Sequence, residues 1–176
     1  MRKIFKIAID KKREFSSTQV QIEDKSIKEK IKSFQKTIPK KILVDDGMET
    51  DLHITVKYGL HTNDEEEVRE LVKGFGKVRA YLDVVSYFEA SEFRDNDVLK
   101  ISVDSKDLER LNKLISKNLE FTSNYPKYEP HLTLAYIKTG EGKKWDGIKD
   151  FVDTELEFDS IIFSSKDSKK IKLSLL

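Results

Sequence analysis

The sequence predicts an α+β fold of largely antiparallel sheets with flanking helices, and three observations carry this. Stretches with helical spacing and stretches with alternating spacing intermix along the chain, while consecutive strands pair as hairpins. The pattern His-apolar-Thr-apolar occurs twice, as His53-Ile54-Thr55-Val56 and His131-Leu132-Thr133-Leu134, although the chain has only 3 histidines. A strand–helix unit precedes each copy, over 15–37 and 98–119. This points to two similar lobes related by a pseudo-two-fold, with the motifs meeting at a cleft between them.

Taken in order, residues 3–9 could form an edge strand or an ordered arm. Residues 15–22 (FSSTQVQI) alternate as a strand with Thr18, Val20 and Ile22 on one parity. Ile27, Ile31, Phe34 and Ile38 then have helical spacing over 25–37, with lysines on the outer face and Pro39 as the stop. A short apolar piece, 42–44, leads to a turn signal at Asp45-Asp46-Gly47. The first motif strand spans 51–58 and Gly59 closes it. Asn63 is a candidate cap for a helix over 64–73, with acids in its first turn and Gly74 after its end.

Residues 77–90 contain no breaker and predict a long strand. A turn at Asp95-Asn96-Asp97 returns the chain as a strand over 98–103. Asp104 or Ser105 can cap the next helix, which carries Leu108, Leu111, Leu114 and Ile115 on one stripe. The loop 121–129 precedes the second motif strand, 130–137. The loop 139–147 holds the only tryptophan, Trp145. Residues 155–164 and 170–175 predict a closing hairpin around Lys166-Asp167-Ser168.

Composition narrows the chemistry. At 176 residues the chain is most simply one domain, long enough to bury a core without covalent staples. It has no cysteine, hence no disulfide framework and no thiolate nucleophile, which suits a reducing cytoplasm. The first residues lack an apolar run long enough for a signal peptide or a membrane span. A net charge of +1 argues against a long nucleic-acid footprint.

In an extended strand alternate side chains share a face, so His53 groups with Thr55, and His131 with Thr133. Ile54, Val56, Leu132 and Leu134 then face the core. Two imidazoles suit phosphodiester cleavage near neutral pH, one taking a proton and the other giving one. The threonine hydroxyls could hold the non-bridging phosphate oxygens as charge builds on them. Lys57, on the same strand parity, is a further donor candidate. Trp145 could stack a base or anchor its loop. Glu157 alternates away from the apolar positions of its strand and could reach a base edge. His61 follows Gly59 in a loop, and the parity of Tyr58 and Tyr136 points them to the core. Two strand histidines 78 residues apart (53 to 131) form no compact metal-ligand motif.

HITV at 53–56 and HLTL at 131–134 resemble the paired signatures of the 2H (two-histidine) phosphoesterase superfamily, which includes 2′-5′ RNA ligase-like proteins. The likeness covers nearly the whole chain. It implies a bilobal α+β fold with two antiparallel sheets and a central cleft. It also implies catalytic positions at His53, Thr55, His131 and Thr133, and cleavage of nucleotide phosphodiesters with no metal and no cofactor. FSSTQVQI, ETDLHITVKYGLHT and YEPHLTLAYI are further similar to phage-associated anti-CBASS nucleases. Those degrade the cyclic oligonucleotide signals of bacterial antiphage defence. The expectation is a monomeric, cytoplasmic enzyme acting on a nucleotide or short oligonucleotide, cyclic or linear, with no membrane partner. Alternatives are an RNA-end enzyme that opens 2′,3′-cyclic phosphates or processes 2′-5′ linkages, and a non-catalytic RNA- or nucleotide-binding module. Both motifs being intact argues against the last.

Overall fold

Alternating apolar residues become strands where a partner edge is available. In the computed structural model, which describes residues 13–176, nine strands join one antiparallel sheet. The segment 3–9 lies outside the described residues. In chain order the elements are β1 (Ser16–Gln21), α1 (Lys25–Gln35), β2 (Leu43–Met48), β3 (His53–Leu60), α2 (Glu65–Val72) and β4 (Val78–Phe88). Then come β5 (Asp97–Asp104), α3 (Lys106–Asn118), β6 (His131–Ile137), β7 (Thr154–Phe158), β8 (Ser160–Ser164) and β9 (Lys170–Ser174). Among the described residues no helix is long and apolar enough to cross a membrane.

The sheet curls into a half-barrel whose path runs β7-β4-β5-β6-β3-β1-β8-β9, with β2 added against β6. Outward from β3 come β1, β8 and β9; outward from β6 come β5, β4 and β7. The two expected sheets are thus two wings of one sheet. They meet at one registered pair, Ile54 opposite Leu132. The apolar motif residues Ile54, Val56, Leu132 and Leu134 are fully buried in a core shared by both wings.

α1 and α3 bridge the two wings. α1 follows β1 but packs behind β6, and α3 follows β5 but packs behind β3 and β4. Each helix starts on a side-chain cap that satisfies an orphan amide. Asp24 accepts from the Ile27 amide at 2.8 Å, and Ser105 from the Leu108 amide at 3.0 Å.

Several expectations are corrected. The α2 cap is Asp64, which accepts from the Glu66 amide, while the Asn63 side chain accepts from the Lys166 amide. Asp45-Asp46-Gly47 lies within β2, where an irregular register and Gly47 at φ 61° absorb the turn chemistry. Asp97 opens β5 and is buried, accepting from the amides of Ala90, Gly140 and Gly142. Residues 155–164 are two strands: β7 pairs with β4 on one wing, and β8 with β1 and β9 on the other. Tyr58 is exposed, because bulges in the β1–β3 pairing break the alternation at the end of β3. Its ring meets Phe15 edge-on.

Candidate active site

The pairing of Ile54 with Leu132 fixes the site, because neighbouring pairs of antiparallel strands fall on the opposite face. Continuing that register sets His53 beside Thr133 and Thr55 beside His131. Each histidine therefore lies across from the other motif's threonine. All four side chains are half-buried, whereas the residues between them are fully buried.

The two imidazoles are held alike. His53 Nδ1 lies 2.6 Å from the Asp51 carbonyl oxygen, and His131 Nδ1 lies 2.7 Å from that of Glu129. A carbonyl only accepts, so Nδ1–H donates in both rings and Nε2 is left to face the cleft. Each ring is oriented by main chain two residues before it.

The surroundings of the rings differ in charge. An Asp51 carboxylate oxygen lies 3.6 Å from His53 Nδ1. Burial raises the Asp51 carboxyl, but hydrogen bonds from Lys170 and Gln21 and the charges of Lys170 and His53 outweigh it and hold the group below its ordinary value. His131 instead meets the Phe88 ring edge-on at 4.9 Å. Burial lowers its pKa below 6.5; the bond to Glu129 opposes this, and the charges of Lys100 and His53 add to the lowering.

The other candidate residues are dispersed. Lys57 shares the face of Thr55, with its ammonium 3.3 Å from the centre of the Phe121 ring. Burial lowers its pKa. Trp145 lies in a single 3-10 turn, its ring edge-on to Phe34 of α1 at 5.9 Å, which is the packing of a loop anchor. Glu157 sits on β7, three strands from β6, ion-paired with Lys77 at 2.6 Å and Arg79 at 3.4 Å. It lines a polar cavity of about 340 Å³ together with Gln21, Glu23, Lys77, Asp159 and Ser160; neither motif histidine lines it. His61 bonds the Thr122 hydroxyl at 2.8 Å and stacks on Phe15.

Sequence reasoning missed three positioning side chains. Gln35 of α1 donates to the Leu134 carbonyl at 2.9 Å, and Asn112 of α3 donates to the Val56 carbonyl at 2.7 Å. Leu134 and Val56 are the fourth residues of the two motifs, so each helix ties down the motif strand of the opposite wing. The available signal was a polar residue on an apolar stripe: Gln35 lies four after Ile31, and Asn112 four after Leu108. The third is Tyr128, whose hydroxyl donates to the Thr55 carbonyl at 2.8 Å and joins the loop before β6 to β3.

Comparison with curated proteins gives no significant match. Among solved structures, TT0787 of Thermus thermophilus is similar with a TM-score of 0.60 at 15% identity, covering 92% of this chain and 95% of that one. Kluyveromyces marxianus Usb1 with uridine monophosphate gives 0.53 at 10% identity, over 92% and 99% of the two chains. Escherichia coli LigT in apo form gives 0.57 at 14% identity, over 94% and 96%. These likenesses establish the fold. A family model, anti-CBASS protein Acb1, matches residues 18–171, a span containing both motifs and every strand of the two wings in whole or in part. The chain belongs to the anti-CBASS protein Acb1 family and is a phosphoesterase of the two-histidine type.

Proposed function

We propose that this chain cleaves the 3′-5′ phosphodiester bonds of cyclic oligonucleotide immune signals by metal-independent acid–base catalysis. The observation that carries the proposal is the quartet His53–Thr133 and Thr55–His131, with both Nε2 atoms unengaged among the described residues. A nucleotide substrate is in keeping with the uridine monophosphate of the similar Usb1 structure.

The charge asymmetry supports the following division of roles. His131, kept neutral by burial and by the Lys100 charge, is the base. His53, beside the Asp51 carboxylate, is the acid. His131 Nε2 takes the proton of a ribose 2′-OH, whose oxygen attacks the adjacent phosphorus. The bond from phosphorus to the 5′ oxygen breaks, and His53 Nε2 gives that oxygen its proton. The product is a 2′,3′-cyclic phosphate. Thr55 and Thr133 donate to the non-bridging oxygens as charge develops there. Lys57 stands on the same face as a further contact to substrate.

A substrate panel read by mass spectrometry tests this: cyclic di- and trinucleotides, 2′-5′ oligoadenylate, and RNA ending in a 2′,3′-cyclic phosphate, each with and without EDTA. Cleavage of the cyclic oligonucleotides, unchanged by EDTA, is expected. His53→Ala and His131→Ala should each lower kcat by about 10²–10⁴ without unfolding the chain. Loss of activity with EDTA and recovery with added metal would overturn the mechanism. Turnover of only the RNA end or the 2′-5′ linkage would overturn the substrate.

A further inference from the structure

One buried charge on the polar face makes no contact with substrate in the two-histidine scheme. β5 runs beside β6 with Lys100 opposite Thr133 and Ser102 opposite His131. The Lys100 residue is 7% exposed. Its ammonium donates to the Ser86 hydroxyl at 2.7 Å and reaches the Ser102 hydroxyl at 3.5 Å. The Phe88 ring lies 4.4 Å from it, the same ring that meets His131. None of the ion pairs among the described residues involves Lys100.

Burying an ammonium against hydroxyls and a phenyl ring costs free energy that an anion would offset. Burial lowers the pKa of Lys100, and the charges of Glu129 and Asp146 work against that from beyond ion-pair reach. The corresponding position on the other wing is Gln19, opposite Thr55, which carries no charge. The buried cation is thus on the His131–Thr133 side, whereas Lys57 on the Thr55 side is half-buried and lies over the Phe121 ring. The Lys100 charge points to a ligand with a negative oxygen close to the Thr133 hydroxyl.

We propose that Lys100 is a catalytic residue whose ammonium, steadied by Ser86 and Ser102, binds a non-bridging oxygen of the scissile phosphate beside Thr133. This rests on the phosphodiesterase reading above. Thr133 and Lys100 then contact the phosphate from adjacent strands. The negative charge that builds during attack by the 2′ oxygen meets a full positive charge in a desolvated site, where such an interaction is strong. On the other wing the residue opposite Thr55 is the neutral Gln19.

The test uses Lys100→Met, which keeps the length and packing of the stem, and Lys100→Arg, which keeps the charge. Inorganic phosphate is titrated into each protein while the His131 ring resonances are followed by NMR. Turnover of the best substrate from the panel is measured in parallel. Lys100→Met should bind phosphate at least about tenfold more weakly and lose about a hundredfold in kcat. Lys100→Arg should retain phosphate binding. The melting temperature of Lys100→Met should equal or exceed that of the parent, because an unpaired buried charge has gone. Unchanged phosphate affinity, or unchanged kcat, in Lys100→Met overturns the proposal. If no nucleotide is cleaved by the parent chain, the phosphate titration decides alone, so the two ideas fail separately. Should Lys100→Met not fold, Lys100→Gln takes its place in both measurements.

Discussion

His131 carries the clearest pH signature. Its neutral form persists below pH 6.5 because burial disfavours the imidazolium. The acid limb of kcat/KM is therefore expected below pH 6.5. Stability follows the same sign. Between the folded pKa and 6.5 the unfolded chain binds more protons at this residue than the folded chain, so the folded state loses stability as pH falls through that window. Urea midpoints measured across it should fall less steeply for His131→Gln than for the parent; parallel slopes would count against the assignment. The motif residues were legible because strand parity is a local property. Lys100 was not, since a lysine between Leu99 and Ile101 reads as a solvated charge. Only the pairing of β5 with β6 reveals that its face is the motif face.

Among the elements, the bridging helices matter most for the site. Gln35 and Asn112 each bond a carbonyl on the wing opposite their own preceding strand. Gln35→Met and Asn112→Leu should each cost about 1–3 kcal/mol by chemical denaturation, since each takes a donor from a buried carbonyl. Each should also shift the ring resonances of the histidine whose strand it touches: His131 for Gln35→Met and His53 for Asn112→Leu. The reverse pattern, or none, would show that the helices do not act across the wings. At the end of β3, Gly59 has φ +81°, and a Cβ there would meet the Thr122 carbonyl oxygen at 1.9 Å. Position 59, next to the last residue of the strand, must be glycine for the loop after α3 to lie against it. The helices and most strands were legible from periodicity and caps. The split of β7 from β8 was not, because their partners, β4 and β1, lie far away in sequence.

For the whole molecule, one registered pair joins β3 to β6, yet the two wings are not loosely connected halves, because the core is one cluster drawn from both. Unfolding should be a single transition, with far-ultraviolet circular dichroism and Trp145 fluorescence giving the same urea midpoint. Separate midpoints would show that the wings unfold independently. The family fold was legible from two four-residue motifs, because their spacing and preceding strand–helix units restrict how the strands can meet. The order of the sheet was not, since β8 and β9 return to the wing that holds β1.

That return gives synthesis a direction. β4, β5, β6 and β7 are consecutive strands of one wing and can be paired once residue 158 has been made. The other wing waits for β8 to cover β1 and for β9 to bring Lys170 to Asp51, beside His53. The surroundings of His53 are thus completed only once β9 has been made, after every strand of the β6 wing, and the candidate site takes its final form later than the wing that carries its second histidine.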